Sequence, residues 1–487
     1  MKLLIFRREK KSKHRWPLVW LAVLTISFGT LQAAPSRPNI ILCMADDHGW
    51  GDVGYQGHPF ISTPNLDQMA AEGIQFDRWY AAAPVCSPTR GSCLTGRHPY
   101  RYGIYSANVG HLKDQEITLA EILKQQGYAT GHFGKWHLGT LTRRIRDANR
   151  GGTEKGKGHY SPPWQNGFDD CFSTESKVPT FDPMRNPASV SREAKRNVPV
   201  GGSYGTSYWT GPDKRVPEAD LRGDDSKLIM DQALQFISKA VHQKKPFFAV
   251  IWFHAPHTPV VADASHRNLY SDHPFGLYGQ HYHGCLSALD DQLGRLRDHL
   301  ESKGVSNHTM LCYCADNGPE SSVDKGAGTT GPFRGRKRSL YEGGVRVPAL
   351  LVWPDQIKTP FKTKVPCVTS DYFPTILDAL GLPLPNRPYD GISLMPLIQR
   401  KTRQRTEPIC FQSRKVAALH QGRFKLVSHV TSLESIHPGR NELYDLAADP
   451  GEREDVASKH PQLVTRLGQK LRVWIESCHQ SDTGNDY

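Results

Sequence analysis

Residues 39–47 read NIILCMADD: six apolar or small side chains in succession, then two carboxylates. An amphipathic helix would interrupt such a run every few positions, and a half-exposed strand would alternate. The unbroken run predicts a central strand buried on both faces, as in a parallel sheet covered by helices. Its carboxyl end then lies on the edge where open α/β sheets hold their ligands, and Asp46 and Asp47 stand on that edge.

The flanking chain supports this placement. STPNLDQMAAEG (62–73) predicts a helix with Pro64 near its start and Gly73 as its stop. ITLAEILKQQG (117–127) predicts a second, followed by a short strand in YATGHFGKW (128–136). Further on come a helix over 224–242, a strand PFFAVIWF (246–253) and a long helix over 278–304. Strands follow in TMLCYCAD (309–316) and VPALLVWP (347–354), and DYFPTILDALG and GISLMPLI close this part. Strands alternating with helices define an α/β fold, a large mixed β-sheet sandwiched by helices. Between about 140 and 220 the chain is rich in Gly, Pro and charge, which predicts functional loops. Beyond 400 the pattern changes to short strands and turns, ended by a helix from about His460 to Ser477. The expected division is a signal peptide over 1–34, a large α/β domain over 35–400, and a smaller C-terminal α+β subdomain with an antiparallel sheet over 401–487.

The length of 487 residues suits this division, and a hydrophobic content of 38% is enough to bury a core. A formal charge of +13 invites a nucleic-acid reading. Residues 1–36 hold seven Lys/Arg and one Glu, and setting them aside leaves 54 basic against 47 acidic side chains, or +7. No basic cluster beyond GPFRGRKRS (331–339) remains, so nucleic acid is not the expected partner. The N-terminal stretch itself reads as an export signal: a basic segment KLLIFRREKKSKHR, an apolar run WPLVWLAVLTISF, and a small-residue end TLQAAPS. The run is short for a spanning helix, so a periplasmic or extracellular protein without stable membrane contact is expected, an uncleaved signal anchor being the alternative left open. The ten cysteines show no metal-type CxxC pairs, and no disulfide pairing is assigned.

Three strand ends carry polar clusters: Asp46-Asp47-His48, His254-Ala-Pro-His257, and Asp316-Asn317-Gly318. Each alone is ordinary turn chemistry. Three carboxylates and an amide meeting on one edge make an oxygen-ligand set for a hard divalent cation, Ca²⁺ or Mg²⁺. Arg90, Lys135 in GKWHLG and Lys337 in FRGRKRS are candidate anion binders, and His137 is a candidate proton carrier. A tetrahedral dianion beside a metal needs several such fixed cations. At the centre stands PVCSPTRGSCLTGR (84–97), which puts Cys86 at a predicted helix start with Arg90 four residues on.

Cys-Ser-Pro-Thr-Arg (86–90) resembles the CxPxR signature of type I sulfatases, of the alkaline phosphatase superfamily, whose cysteine is oxidised to Cα-formylglycine. ADDHGWGD, TPNLD, GKWHLG, HAPHTP, DNG and YEGGVRVP follow the family's order from about 38 to 400, and LYDLAADPGE extends the likeness. The resemblance implies an arylsulfatase-like hydrolase of sulfated carbohydrates. Asp46, Asp47, Asp316 and Asn317 would hold Ca²⁺ with the modified Cys86. Arg90 would orient the formylglycine, and Lys135, His257 and Lys337 would contact sulfate. His137 would act as base on the aldehyde hydrate, and His254 would touch the sugar. A family serine would fall after Phe168, at Ser173 or Ser176. The resemblance also implies a formylglycine-generating enzyme as a partner in biosynthesis. Tyr204, Tyr208, Trp209, His266 and Tyr270 are expected to line the sugar pocket. The rival readings are a phosphatase or phosphodiesterase of the same superfamily, for which Asn317 is an ill-suited ligand, and an inactive relative that binds sulfated glycans.

Overall fold

All seven residues of β1 (Asn39–Ala45) are buried. Successive strand side chains point to opposite faces, so both faces of the sheet are covered here, as the apolar run predicts. The computed structural model describes residues 37–188, 197–320, 327–430 and 438–487. The expected signal peptide, 1–34, lies outside the described residues.

The large sheet adds β2 (Ile74–Phe76), β3 (Ala129–Lys135), β4 (Asp170–Thr174), β5 (Tyr208–Gly211), β6 (Lys214–Arg215), β7 (Phe247–Trp252), β8 (Thr309–Ala315), β9 (Ala349–Val352) and β10 (Phe361–Thr363). Their spatial order is β10-β2-β9-β8-β1-β7-β3-β4-β5-β6. The central strands β8, β1, β7, β3 and β4 are parallel, whereas β9 pairs antiparallel with β8, and β5 with β4, so the sheet is mixed. Register fixes the site. Ala45 lies opposite Ala315, Met44 opposite Trp252, and Trp252 opposite Gly134. Asp46, Asp316, His254 and Lys135 therefore leave the sheet on one edge.

The longer helices are α1 (Pro64–Glu72), α2 (Cys86–Thr95), α3 (Leu119–Gln125), α4 (Asp225–His242), α5 (Leu277–Ser302), α6 (Tyr372–Ala379) and α7 (Pro461–Asp482). In α4, Ile229, Met230, Ala233, Phe236, Ile237 and Ala240 recur at helical spacing and are buried, and the helix packs on β3 and β7. Asp224 caps it by accepting from the Lys227 amide at 2.9 Å. A capping box of Thr118 and Glu121 starts α3.

Three stretches within the expected 140–220 loops are strands, β4, β5 and the two-residue β6. Asp170–Thr174 extends the parallel core as β4, and Tyr208–Gly211 pairs beside it as β5. The expectation for their aromatics is corrected accordingly. Tyr208 and Trp209 are buried in the sheet, with the Tyr208 hydroxyl donating to Asp225 at 2.6 Å and the Trp209 indole to Asp147 at 3.1 Å.

The C-terminal part is a four-stranded antiparallel sheet, β11 (Ile409–Ser413), β12 (Val416–Gln421), β13 (Phe424–Val430) and β14 (Pro438–Asp445). Its side chains divide by face. Ala417, Leu419, Leu426 and Leu443 pack with Leu467, Leu471 and Ile475 of α7. Phe411, Ala418, Val427 and Tyr444 pack with Tyr80, Val345 and Val368 from the preceding chain. On that second side Lys425 is wholly buried, with Nζ 2.9 Å from both Glu342 and Glu452. Lys425→Met is expected to lower the unfolding free energy by about 3–5 kcal/mol, because it leaves buried Glu452 without its cation and Glu342 with only Arg346, at 3.4 Å. A denaturant titration with an unchanged midpoint would show that the two glutamates find other partners.

Candidate active site

Helix α2 carries the CxPxR run, and all ten of its residues are buried. Pro88 sits in the first turn, where a missing N–H costs no hydrogen bond. Gly96 ends the helix with φ 70°, and a Cβ there would lie 2.8 Å from Phe373 Cβ. The N-cap, Val85, has no side-chain acceptor, so the first amides of α2 have none from their cap. Cys86 is the first residue of that turn.

Arg90 lies one turn on, on the same side of the helix. Its guanidinium donates to Asp316 Oδ2 at 2.8 Å and to the Lys135 carbonyl at 3.2 Å, and stands 3.6 Å from Asp46. One buried cation thereby ties the ends of β1, β3 and β8 together. Lys135 Nζ reaches Asp46 Oδ2 at 2.5 Å. Lys337 Nζ reaches Asp47 at 2.5 Å, and Asn317 Nδ2 donates to Asp47 Oδ1 at 2.7 Å. His257 Nε2 stands 3.6 Å from Asp47. Cys86 Sγ is 3.5 Å from Asp46 Oδ1, and the ligand atoms of Asp46, Asp47, Cys86 and His257 all lie within 4.8 Å of one another.

The charges are strongly coupled. Burial alone would push the Asp46 carboxyl up, but Lys135, His257, Arg90 and Lys337 outweigh it and hold it well below the usual carboxylate range. Burial wins at Asp316, which is pushed up to about 7, with Asp46 alongside adding to the shift. Burial likewise raises Asp47. It pushes the Cys86 thiol up to about 12 despite Lys135 and Lys337, so an unmodified thiol would stay protonated and weakly nucleophilic.

His137 is held in one tautomer. Asn108 Oδ1 accepts from Asn149 Nδ2 at 3.1 Å and lies 3.0 Å from His137 Nε2. Nε2 therefore carries the hydrogen, and Nδ1, buried and unpartnered, keeps its lone pair. Burial, then Lys135 and Arg90, keep the imidazole neutral at pH 7. Both His137 and Asp47 have positive φ, 59° and 65°, conformations uncommon outside glycine that occur at functional positions.

Of these groups, Cys86, Lys135, His137, His257 and Lys337 line one cavity of about 230 Å³. His254 is not brought into it. Its Nδ1 engages Asp225 at 2.7 Å and its Nε2 engages Thr174 at 2.8 Å, so both ring nitrogens serve the fold and the expected sugar contact is set aside. Of the two serines, Ser173 lies within β4 and bonds His132 at 2.7 Å, whereas Ser176 reaches the cavity wall. His266, bridging Asp263 and Asp291, and Tyr270, bonded to Ser287, belong to the protein's own packing. The wall also contains Asn108, Asn149, Lys177 and Arg414, which the sequence did not single out. Lys177 was findable: it follows the end of β4, on the edge that binds ligands. A second His/Asp group, Asp52, His58 and His283, stands apart. His58 Nδ1 accepts the Phe60 and Ile61 amides, at 3.2 and 2.9 Å, so Nε2 keeps its proton and offers a metal no lone pair.

Comparison with known proteins agrees with this geometry. Residues 38–382 match the family described as Sulfatase, and residues 331–477 match "N-sulphoglucosamine sulphohydrolase, C-terminal". N-acetylgalactosamine-6-sulfatase of Mus musculus is 31% identical over 95% of this chain and 92% of its own. Arylsulfatase A of Homo sapiens is 32% identical over 92% of this chain and 89% of its own. The crystal structure of Ps i-CgsB in complex with k-i-k-neocarrahexaose superposes with a TM-score of 0.75 at 27% identity, covering 91% of this chain and 94% of that one. The chain belongs to the sulfatase family, within the alkaline phosphatase superfamily. It is a sulfuric ester hydrolase, and the phosphatase and binding-protein alternatives fall away.

Proposed function

We propose that this enzyme removes sulfate from a sulfated carbohydrate, using Cys86 matured to formylglycine beside a bound Ca²⁺. The observation that carries this reading is the convergence of Cys86, Asp46, Asp47 and His257 within 4.8 Å, with Lys135 and Lys337 fixed on the two aspartates. Relatives named for N-acetylgalactosamine-6-sulfate and a structural neighbour bound to neocarrahexaose support a carbohydrate substrate.

The side chains fit a hard cation. Asn317 Oδ1 is buried and without a hydrogen-bond partner, and Asp47 and Asp316 are carboxylates whose charge burial opposes. Asp46, Asp47, Asp316 and Asn317 would hold the ion, which supplies positive charge for the sulfuryl oxygens. A formylglycine hydrate supplies two hydroxyls on one carbon, a nucleophile and a means of release. The chain's own residues do the rest. Lys135 and Lys337 face the cavity and hold the sulfate oxygens as charge builds on them, and His257, whose Nδ1 donates to the Thr258 carbonyl at 2.6 Å, joins them only as the imidazolium. His137, with Nδ1 bare, takes the proton whose loss lets sulfate depart. Arg90 keeps the strand ends, and hence these groups, in register.

Export through the N-terminal signal, to the periplasm or outside the cell, and conversion of Cys86 by a formylglycine-generating enzyme complete this reading. So does the division into a catalytic domain over 35–400 and a subdomain over 401–487. Mass spectrometry of the Cys86 peptide from active enzyme tests it directly. Conversion of the thiol to an aldehyde makes the peptide about 18 Da lighter, and active enzyme carrying only the thiol peptide would refute it. Chelation is expected to lower aryl sulfate turnover by more than about tenfold and Ca²⁺ to restore it, since a cation at such a site is worth several kcal/mol. Full activity in a chelator would remove the ion from the proposal.

A further inference from the structure

The cavity beside Cys86 is small for a complete ligand site. Its volume of about 230 Å³ falls below the ~300 Å³ at which ordinary ligand pockets begin. It does not end at its own wall. Asn108 and Asn149, which line it, also line a second cleft of about 560 Å³ that includes Arg146, Arg150, Lys155 and His159. The two spaces adjoin along those shared asparagines.

The charge of the outer cleft is not balanced from within the protein. Its acid, Glu154, is held by Lys157 at 2.5 Å. Arg150 is engaged by the Gly110 carbonyl at 2.7 Å and by Glu175 at 3.5 Å. Arg146 and Lys155 remain, both exposed and neither in an ion pair with any described residue. Two uncommitted cations thus border a groove that adjoins the cavity beside Cys86.

We propose that this outer cleft binds the glycan beyond the sugar being desulfated, with Arg146 and Lys155 holding an anionic substituent on the neighbouring residue. The substrate is then a polyanionic oligosaccharide, and a single sulfated sugar fills only the inner cavity. The amides of Asn108 and Asn149, at the junction, offer hydrogen bonds to sugar hydroxyls. This inference rests on the reading of the Cys86 cavity as the sulfate ester site. The substituent is a carboxylate or a second sulfate ester, which share the chemistry that two cations recognise.

The test compares kcat/KM for three substrates: a monosulfated hexosamine, glycosaminoglycan oligosaccharides with a uronate next to the sulfated sugar, and carrageenan oligosaccharides with a second sulfate there. The enzyme is expected to prefer at least one oligosaccharide class by about tenfold or more, the size of two ion pairs at a partly exposed site. Added salt should shrink that preference. In the Arg146→Ala/Lys155→Ala double variant the ratio of oligosaccharide to monosaccharide kcat/KM should fall to within about twofold of unity. Both side chains are exposed and outside the core, so the fold is not at stake. The preferred class identifies the anion as carboxylate or sulfate, and either supports the proposal. Equal rates for monosaccharide and oligosaccharides, or a double variant that keeps the wild-type ratio, overturns it. An enzyme that releases sulfate from none of these, nor from an aryl sulfate, overturns the reading of the Cys86 site and this inference with it.

Discussion

Cys86→Ala is expected to abolish sulfate release from every substrate, by a factor on the order of 10⁵ or more, as when a catalytic nucleophile is deleted. The fold should survive. The thiol makes one weak contact, 3.5 Å from Asp46 Oδ1, and the Arg90 bonds that tie the strand ends do not involve it. Alanine is a good helix former, so α2 loses no propensity. The measurement is sulfate released from an aryl sulfate, alongside a thermal melt of the variant. Retained turnover by a folded variant would mean that the nucleophile is elsewhere. Cys86→Ser is the instructive companion. A serine hydroxyl that attacked sulfur would have no second hydroxyl on its carbon, so any activity should stop after a stoichiometric burst.

Lys337→Gln is expected to lower kcat by about 10²–10³-fold, the range seen when one preorganised group that stabilises transition-state charge is removed. Glutamine keeps a hydrogen-bond donor near Asp47 but not the charge. Asp47 and neighbouring Asp46 hold the Lys337 ammonium firmly protonated despite its burial, so the charge is present throughout the working pH range. The readout is kcat and KM measured separately. A rise in KM with kcat unchanged would make Lys337 a ground-state binder. No change in either would reduce it to a structural partner of Asp47, 2.5 Å away.

Much of this site was legible because the apolar runs end where the chemistry begins. NIILCMADD, PFFAVIWF and TMLCYCAD are strands buried enough to read without ambiguity, and Asp46, His257 and Asp316 follow within a few residues of their ends. Cys86 at a helix start was readable from the proline and glycine around it. His254 misled for a physical reason. It shares the strand end with His257, but its ring turns back to Asp225, nearly thirty positions earlier in sequence, and no local pattern encodes that turn. Tyr208 and Trp209 misled because their strand is short and surrounded by glycine, so its burial depends on pairing with β4. Arg414 was invisible on the same grounds. It follows β11, in the C-terminal sheet, and only tertiary packing brings that turn to the wall of a cavity built mainly by the first 340 residues.

The depth of α2 also sets a timetable for making the enzyme. Cys86 is 2% exposed, and Asp316 and Lys337, two of the residues that close around it, are synthesised more than two hundred positions later. Any catalyst that alters the side chain at 86 must therefore reach it before those later segments close over it. Under the proposed maturation of Cys86, competence is decided before folding is complete, and a molecule that folds too soon seals its own thiol away.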